Sequence, residues 1–285
     1  MTDRKNYRII SDSATDLSKE DQRSIGVRFV PFKIDIEDQT FVDDDDLNLD
    51  EYFYAMKKTK DPIRTACPSP MEFEEALLEA VESDGIFLIT ISKELSGSYN
   101  AAKVAVAAFQ EKHPEVPVHL IDSKSASAGQ SNIAFMLHDY IQEGLSFEEI
   151  AERIEEFVER QSTYFVLESL DNLIKNGRIK KTAGLVVNAL NIKPIMKDNG
   201  NGEIELFQVN RGFKKSLKKL AEKVIEEAES KTIEIVSIAH VGTLEKAMEL
   251  KERIMEGSNI RRIHVIETKG LASGYADLGG IVIAF

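Results

Sequence analysis

The sequence has no tryptophan and one cysteine, Cys67, in 285 residues. A single thiol excludes an internal disulfide and suits a reducing compartment. It also cannot supply paired-cysteine metal ligation, and the five histidines, His113, His119, His138, His240 and His264, show no His-x-x-x-His spacing. No metal is therefore expected. Positive charge is scarce: 36 Lys and Arg stand against 49 Asp and Glu, a formal net charge of -13. Phosphate backbones need a basic face, so nucleic acid is excluded as a partner. Charge alone would not hold the chain on anionic lipid either, so membrane contact is at most transient, with Lys214, Lys215, Lys218 and Lys219 as a local basic group. No apolar run approaches the roughly 18 residues of a spanning helix. The opening MTDRKNYRII lacks the apolar region of a signal peptide. A cytoplasmic location is the expectation. Walker and dinucleotide glycine motifs are absent, so no nucleotide cofactor is expected and the chain by itself is not expected to be a kinase.

What is present is an alternation of strands and helices. Hydrophobic content of 42% with 30% charged residues fits one large or two ordinary globular domains. Short apolar runs at Tyr7–Ile10, Gly85–Ile91 and Val116–Ile121 each end in a polar turn: Ser11-Asp12-Ser13, Ser92 to Ser98, and Asp122-Ser123. Helical patterns follow at Met71–Val81, Gly97–Gln110 and Ala128–Gln142. Such alternation implies βαβ units and a parallel sheet, with the polar turns along one edge. Val27 to Ile36 reads as a strand. Ser69 with Pro70 and Glu72, and Ser146 with Glu149, read as capping boxes. The second half reads as α+β: a strand at Tyr164–Leu167, a hairpin turning at Asn199-Gly-Asn-Gly202, an amphipathic helix at Gly212–Glu229, then strand, helix and strand to Glu267. The fold class is thus α/β in two domains, 1–161 and 162–285, the first a parallel sheet flanked by helices and the second α+β.

Ser96 falls where a strand ends and a helix begins, the ligand-binding edge of an open α/β sheet. Thr65 precedes another helix. Two hydroxyls beside two helix N-termini can hold a carboxylate without a cationic side chain, or they can simply cap and pack. Asp43 to Asp46 lack the spaced ligands of a calcium loop and read as a solvated loop. The apolar run from Leu185 to Met196 reads as core, or as the wall of a tunnel for an alkyl chain. Ser96 as a hydrolytic nucleophile lacks the Gly-x-Ser-x-Gly elbow.

Six segments occur in order: Ser11-Asp-Ser-Ala-Thr-Asp-Leu17, Thr65-Ala-Cys-Pro-Ser69, Ile91-Ser-Lys-Glu-Leu-Ser-Gly-Ser-Tyr99, Asp122-Ser-Lys-Ser-Ala-Ser127, Asn176-Gly-Arg-Ile179 and Ile192-Lys-Pro-Ile195. Together they resemble the DegV family of bacterial fatty-acid-binding proteins across nearly the whole chain. The resemblance implies one long-chain fatty acid held between the two domains. In some members a separate ATP-binding fatty acid kinase subunit phosphorylates the carboxylate, which feeds phospholipid synthesis. By motif, Thr65 and Ser96 would bond the carboxylate, Gly97 would allow close backbone approach, and Arg178 would lie near the head group. Leu185, Val186, Ala189, Leu190, Ile192 and Ile195 would line the acyl tunnel. The family's closing His-x-Gly-Pro-Gly is replaced by Gly274-Tyr-Ala-Asp-Leu-Gly279, with Tyr275 in the histidine's place, where it can still donate a hydrogen bond. The resemblance therefore implies a non-catalytic lipid-binding subunit. An acyl or lipid hydrolase using Ser96 and a binding protein for another small anion are the alternatives.

Overall fold

The computed structural model describes residues 5–59, 61–179 and 191–285. Its first part alternates β1 (Tyr7–Asp12), α1 (Lys19–Ile25), β2 (Val27–Val30), β3 (Lys33–Ile36), β4 (Gln39–Val42), α2 (Leu49–Lys58), β5 (Arg64–Ala66), α3 (Pro70–Glu79), β6 (Gly85–Thr90), α4 (Ser98–Lys112), β7 (Val118–Asp122), α5 (Ala128–Glu143) and α6 (Phe147–Arg160). There follow β8 (Thr163–Val166), α7 (Asp171–Lys175), β9 (Ile195–Asp198), β10 (Ile204–Gln208), α8 (Phe213–Ser230), β11 (Val236–His240), α9 (Leu244–Gly257), β12 (Ile263–Glu267), α10 (Gly270–Ala276) and β13 (Ile281–Ala284).

Strands β2-β1-β6-β7 form a wholly parallel sheet. Every residue of β6 is buried, because helices cover both faces. The side-chain period of two sorts them: Ile86 and Leu88 pack with Phe73, Leu77 and Phe109 of α3 and α4, while Phe87 and Ile89 pack with Ile133, Leu137 and Ile154 of α5 and α6. Both capping boxes form as the sequence indicates, at Ser69 and Ser146.

The stretch from Val27 to Ile36 is two strands rather than one. Pro31 breaks it, since proline has no N–H to give a ladder. Val27–Val30 joins the parallel sheet, and Lys33–Ile36 becomes the centre of a separate antiparallel sheet, β4-β3-β5. The hairpin β9-β10 forms as expected and belongs to a mixed six-stranded sheet, β10-β9-β8-β13-β11-β12. Helices α8 and α9 cover one face of it, through Leu217, Leu220, Val224, Leu250 and Ile254. Helix α5 joins the two large sheets. It is buried without a break from Ala128 to Leu137. Its Ala128 meets Ala239 and Ala284 of the six-stranded sheet, where small side chains permit close approach. The mixed α/β expectation thus holds, with a parallel sheet flanked by helices and a second sheet with its own helices.

Candidate functional site

The polar turns of the parallel sheet do converge at its carboxyl edge. Asp12, at the end of β1, is the hub. Its Oδ2 accepts from the Ile91 N–H at 2.9 Å and from the Ser98 hydroxyl at 2.6 Å. Its Oδ1 accepts from Gln130 Nε2 at 2.9 Å and from the Ala14 N–H at 3.3 Å. Burial pushes this carboxyl's pKa up, and the four donors work against that rise. Ser11 and Thr15 share a hydrogen bond of 2.6 Å. Several of the hydroxyls that crowd this edge are thus engaged within the protein, with carboxylates, carbonyls or one another.

Beside the edge lies a cavity, with about 910 Å³ of space free of atoms when its open side is counted. Its wall is built from the β6–α4 and β7–α5 turns, from β8 and β13, from the β9–β10 turn, from the segment after α7, and from α10. Phe165, Leu167 and Val282 give it an apolar face on the six-stranded sheet, and Val282 pairs directly with Phe165.

Thr65, Ser96, Arg178 and Tyr275, four of the expected head-group residues, all line this cavity. Thr65 sits in the middle of β5, paired with Ile34, rather than at a helix end. Its Oγ1 lies 2.9 Å from the Tyr275 hydroxyl, and either can be the donor. Ser96 precedes α4, and its Oγ accepts from the Ser98 N–H at 3.2 Å. Arg178 donates from Nε to the Leu95 carbonyl at 3.0 Å and from an Nη to the Asn176 carbonyl at 2.6 Å. These bonds hold its guanidinium 5.9 Å from the Tyr275 ring. Asn176 in turn donates to Ile63 O at 3.1 Å, tying this segment to the chain just before β5. Cys67 lies next to Ser96, and burial pushes its thiol pKa up, away from the reactive thiolate.

The remaining site expectations fare differently. Gly97 is not among the cavity residues, and a Cβ there would meet only Cys67 Sγ at an ordinary 3.5 Å. Leu185, Val186, Ala189 and Leu190 lie outside the described residues. Ile192 bridges to Arg211 away from the cavity lining. Ile195 is fully buried, but on the far side of the sheet among Leu217 and Leu220. The pleat turns its neighbour Met196, not Ile195, toward Phe165 and Leu167. Sequence reading missed Phe32, Phe165, Leu173 and Val282 as lining. They come from separate elements, and although Phe32 and Phe165 sat in runs already read as strands, nothing local marks which side chains turn toward a cavity.

The acidic run Asp43 to Asp46 also needs correction. Asp44, Asp45 and Asp46 are exposed, but Asp43 is 0% exposed. It accepts from Ser13 Oγ at 2.8 Å and from the N–H groups of Gly270 and Leu271 at 2.7 and 3.1 Å. Asp16 is buried close by and accepts from the Lys269 N–H at 2.6 Å and the Ser127 hydroxyl at 2.5 Å. Burial raises the pKa of Asp43 to about 6 and that of Asp16 to about 7. Among the described residues there is no group of three or more His, Cys, Asp or Glu able to hold a metal ion, and no helix long and apolar enough to cross a membrane.

Residues 6–284 match the family described as "Uncharacterised protein, DegV family". The chain belongs to the DegV family. A DegV domain-containing protein of Streptococcus pneumoniae is 36% identical over 281 residues, 98% of each chain. A DegV family protein from Ruminococcus gnavus, solved with vaccenic acid, superposes with a TM-score of 0.90 at 35% identity, over 98% of this chain and 99% of that one. The Streptococcus pneumoniae Fatty Acid Kinase (Fak) B3 protein, loaded with linoleic acid, gives 0.90 at 36% identity over the same shares. A DegV family protein from Eubacterium eligens, loaded with heptadecanoic acid, gives 0.88 at 32% identity over 98% of both chains.

Proposed function

We propose that this chain binds one long-chain fatty acid in the cavity, between an N-terminal part (1–161) and a C-terminal part (162–285), and presents its carboxylate. The observation that carries this reading is the cavity itself: an apolar wall of Phe165, Leu167, Leu173 and Val282 that meets the polar group Thr65, Ser96, Arg178 and Tyr275. Each methylene taken from water contributes about 0.8 kcal/mol, so the wall supplies affinity. The polar group supplies orientation. A guanidinium has five donors, and the two carbonyl contacts of Arg178 leave others for an anion. Since one hydroxyl of the Thr65–Tyr275 pair donates to the other, the second O–H is left to donate a hydrogen bond to a carboxylate placed beside it. The fatty-acid-loaded relatives, similar along nearly their whole length, support the same ligand class.

In this reading the protein is a cytoplasmic, non-catalytic carrier. A separate ATP-binding kinase subunit forms the acyl phosphate on the presented carboxylate. The kinase partner is supported by the name of the Streptococcus pneumoniae relative and by the absence of phosphate-cradling glycine motifs here. Tyr275 then meets the carboxylate where other members place a histidine. The hydrolase alternative is disfavoured because, among the described residues, no histidine lines the cavity to activate Ser96.

The test is to purify the protein from a bacterial host, extract it with organic solvent and identify bound lipid by mass spectrometry, then titrate palmitate and oleate. Bound fatty acid is expected. Replacing both Thr65 and Ser96 with alanine should weaken oleate binding by about 1.5–3 kcal/mol for each hydrogen bond lost to the charged group. An empty protein with no affinity for either acid would sink the reading, and unchanged affinity in the double variant would move the head group elsewhere.

A further inference from the structure

Helix α10 touches the rest of the protein at two functional points. Near its C-terminal end, Tyr275 meets Thr65 at 2.9 Å. At its start, the N–H groups of Gly270 and Leu271 both point to the buried carboxylate of Asp43, one to each oxygen, at 2.7 and 3.1 Å. The approach is close. A Cβ on Gly270 would stand 2.9 Å from Asp43 Oδ1 and 2.6 Å from Leu47 Cδ2. Tyr52 of α2 adds a bond from its hydroxyl to the Gly270 carbonyl at 2.9 Å. Halfway along, a Cβ on Gly274 would stand 2.4 Å from the Tyr52 hydroxyl oxygen and 2.5 Å from Ile63 Cδ1. The helix is thus pressed along its length against α2 and the three-stranded sheet.

Asp43 and Thr65 belong to one unit. Asp43 directly follows β4, and its own N–H donates to the Phe32 carbonyl at 2.9 Å. Within the sheet, Ile34 of β3 pairs with Phe41 of β4 on one side and with Thr65 of β5 on the other. Ser13, bonded to the second oxygen of Asp43, also accepts from the Phe32 N–H at 3.0 Å and fixes the carboxylate's orientation. The same small sheet therefore holds one end of α10 through Asp43 and receives the other through Thr65.

We propose that Asp43 is a positioning residue for the ligand's head group: through the two N–H groups at the start of α10 it sets where the Tyr275 hydroxyl stands against Thr65. Two acceptor oxygens are needed, one for each N–H. An asparagine offers one oxygen and an amide whose hydrogens face a backbone donor. The helix then moves away from that end, and a displacement of about 1 Å is enough to spoil a hydrogen bond at the site. This role rests on the proposed binding of a fatty acid carboxylate beside Thr65 and Tyr275.

The experiment compares two ligands with the same tail, oleate and oleyl alcohol, on wild type, Asp43→Asn, Tyr275→Phe and the double variant. Asp43→Asn is expected to weaken oleate about tenfold, the equivalent of about 1.4 kcal/mol, and to leave oleyl alcohol within about twofold. In the Tyr275→Phe background the same change should add little, because both substitutions act on one hydroxyl. Equal losses for the two ligands, or losses with Tyr275→Phe that add in full, overturn the proposal and leave Asp43 as a structural contact only. Gly270→Ala, which forces the helix start off the carboxylate while keeping Asp43, should reproduce the pattern and serves if Asp43→Asn does not fold. Wild type that binds neither ligand overturns the fatty-acid reading itself, whereas wild type that binds oleate as well as Asp43→Asn does overturns only the role of Asp43.

Discussion

The carboxyl edge of the parallel sheet and the cavity face of the six-stranded sheet border the same space and are built on opposite principles. The edge is dense in polar groups that bond one another. Ser13 donates to Asp43, Ser98 to Asp12 and Ser127 to Asp16, so each hydroxyl serves a buried carboxylate. The face has Phe165, Leu167 and Val282 and asks nothing of a ligand except an apolar surface. Hydroxyl density therefore marks the neighbourhood of the site, and only part of it, Ser96, Ser125 and Ser127, reaches the cavity. Of the expected head-group hydroxyls that face the cavity, only Ser96 comes from the edge; Thr65 comes from β5 and Tyr275 from α10.

If the edge is an interlocked network, removing its hub should cost most. Asp12→Ala would strand the donors of Ile91, Ser98 and Gln130 inside the protein. Each stranded donor costs about 1–3 kcal/mol, with incomplete additivity, so a loss of about 3–5 kcal/mol is expected in denaturant unfolding. A loss below about 1 kcal/mol would show that the edge relaxes around the gap and is less rigid than an interlocked network.

The second consequence is a dependence on pH. Asp16 rises from 3.8 to about 7, chiefly through burial and with the nearby Asp43 charge adding to the rise, while the Lys269 N–H, the Ser127 hydroxyl and the Lys269 charge oppose it. A carboxyl whose folded pKa is raised holds its proton longer in the native state than in the unfolded one. Its contribution to stability therefore falls as pH rises through the window from about 4 to about 7, by up to about 4 kcal/mol at 1.36 kcal/mol per unit. The stability of wild type relative to Asp16→Asn should decline across that window when unfolding is measured at each pH. A flat difference would mean that water reaches Asp16 and that the edge is less dry than its burial indicates.

The same contrast explains what the sequence could and could not disclose. Local signals were legible: the buried β6 hexapeptide, the capping boxes at Ser69 and Ser146, and the hairpin turn at Asn199 to Gly202 each follow from neighbouring residues. Thr65, Ser96, Arg178 and Tyr275 were singled out through the motifs they sit in, and all four line one cavity. The three-stranded sheet was not legible, because β3, β4 and β5 are short and β3 reads as a continuation of β2 through Pro31. Asp43 looked like its three exposed neighbours. Its burial depends on α10, more than 220 residues further along the chain. Ile195 was placed on the wrong face because an unbroken apolar run carries no record of which side chains the pleat turns inward.

The smallest effect is expected where edge and face touch. Ser125, from the β7–α5 turn, and Thr163, from the first position of β8, share a hydrogen bond of 2.6 Å, and both line the cavity. Thr163 lies four residues from Leu167, roughly 13 Å along an extended segment, and Leu167 shares a packed cluster with Tyr275. A ligand that bonded this pair would need a second polar group far from its carboxylate. The packing argues for a simpler role. A Cβ on Gly129 would fall 2.0 Å from Ser125 Oγ, so that oxygen is wedged against α5 and joined to Thr163 across the junction of the two sheets. Thr163→Val keeps the shape and removes the hydroxyl. It should cost about 0.5–1.5 kcal/mol of stability, the worth of one ordinary hydrogen bond, and leave oleate affinity within about twofold. A larger change in affinity than in stability would place a polar ligand contact on the face, and the division between a bonding edge and an indifferent face would have to be redrawn.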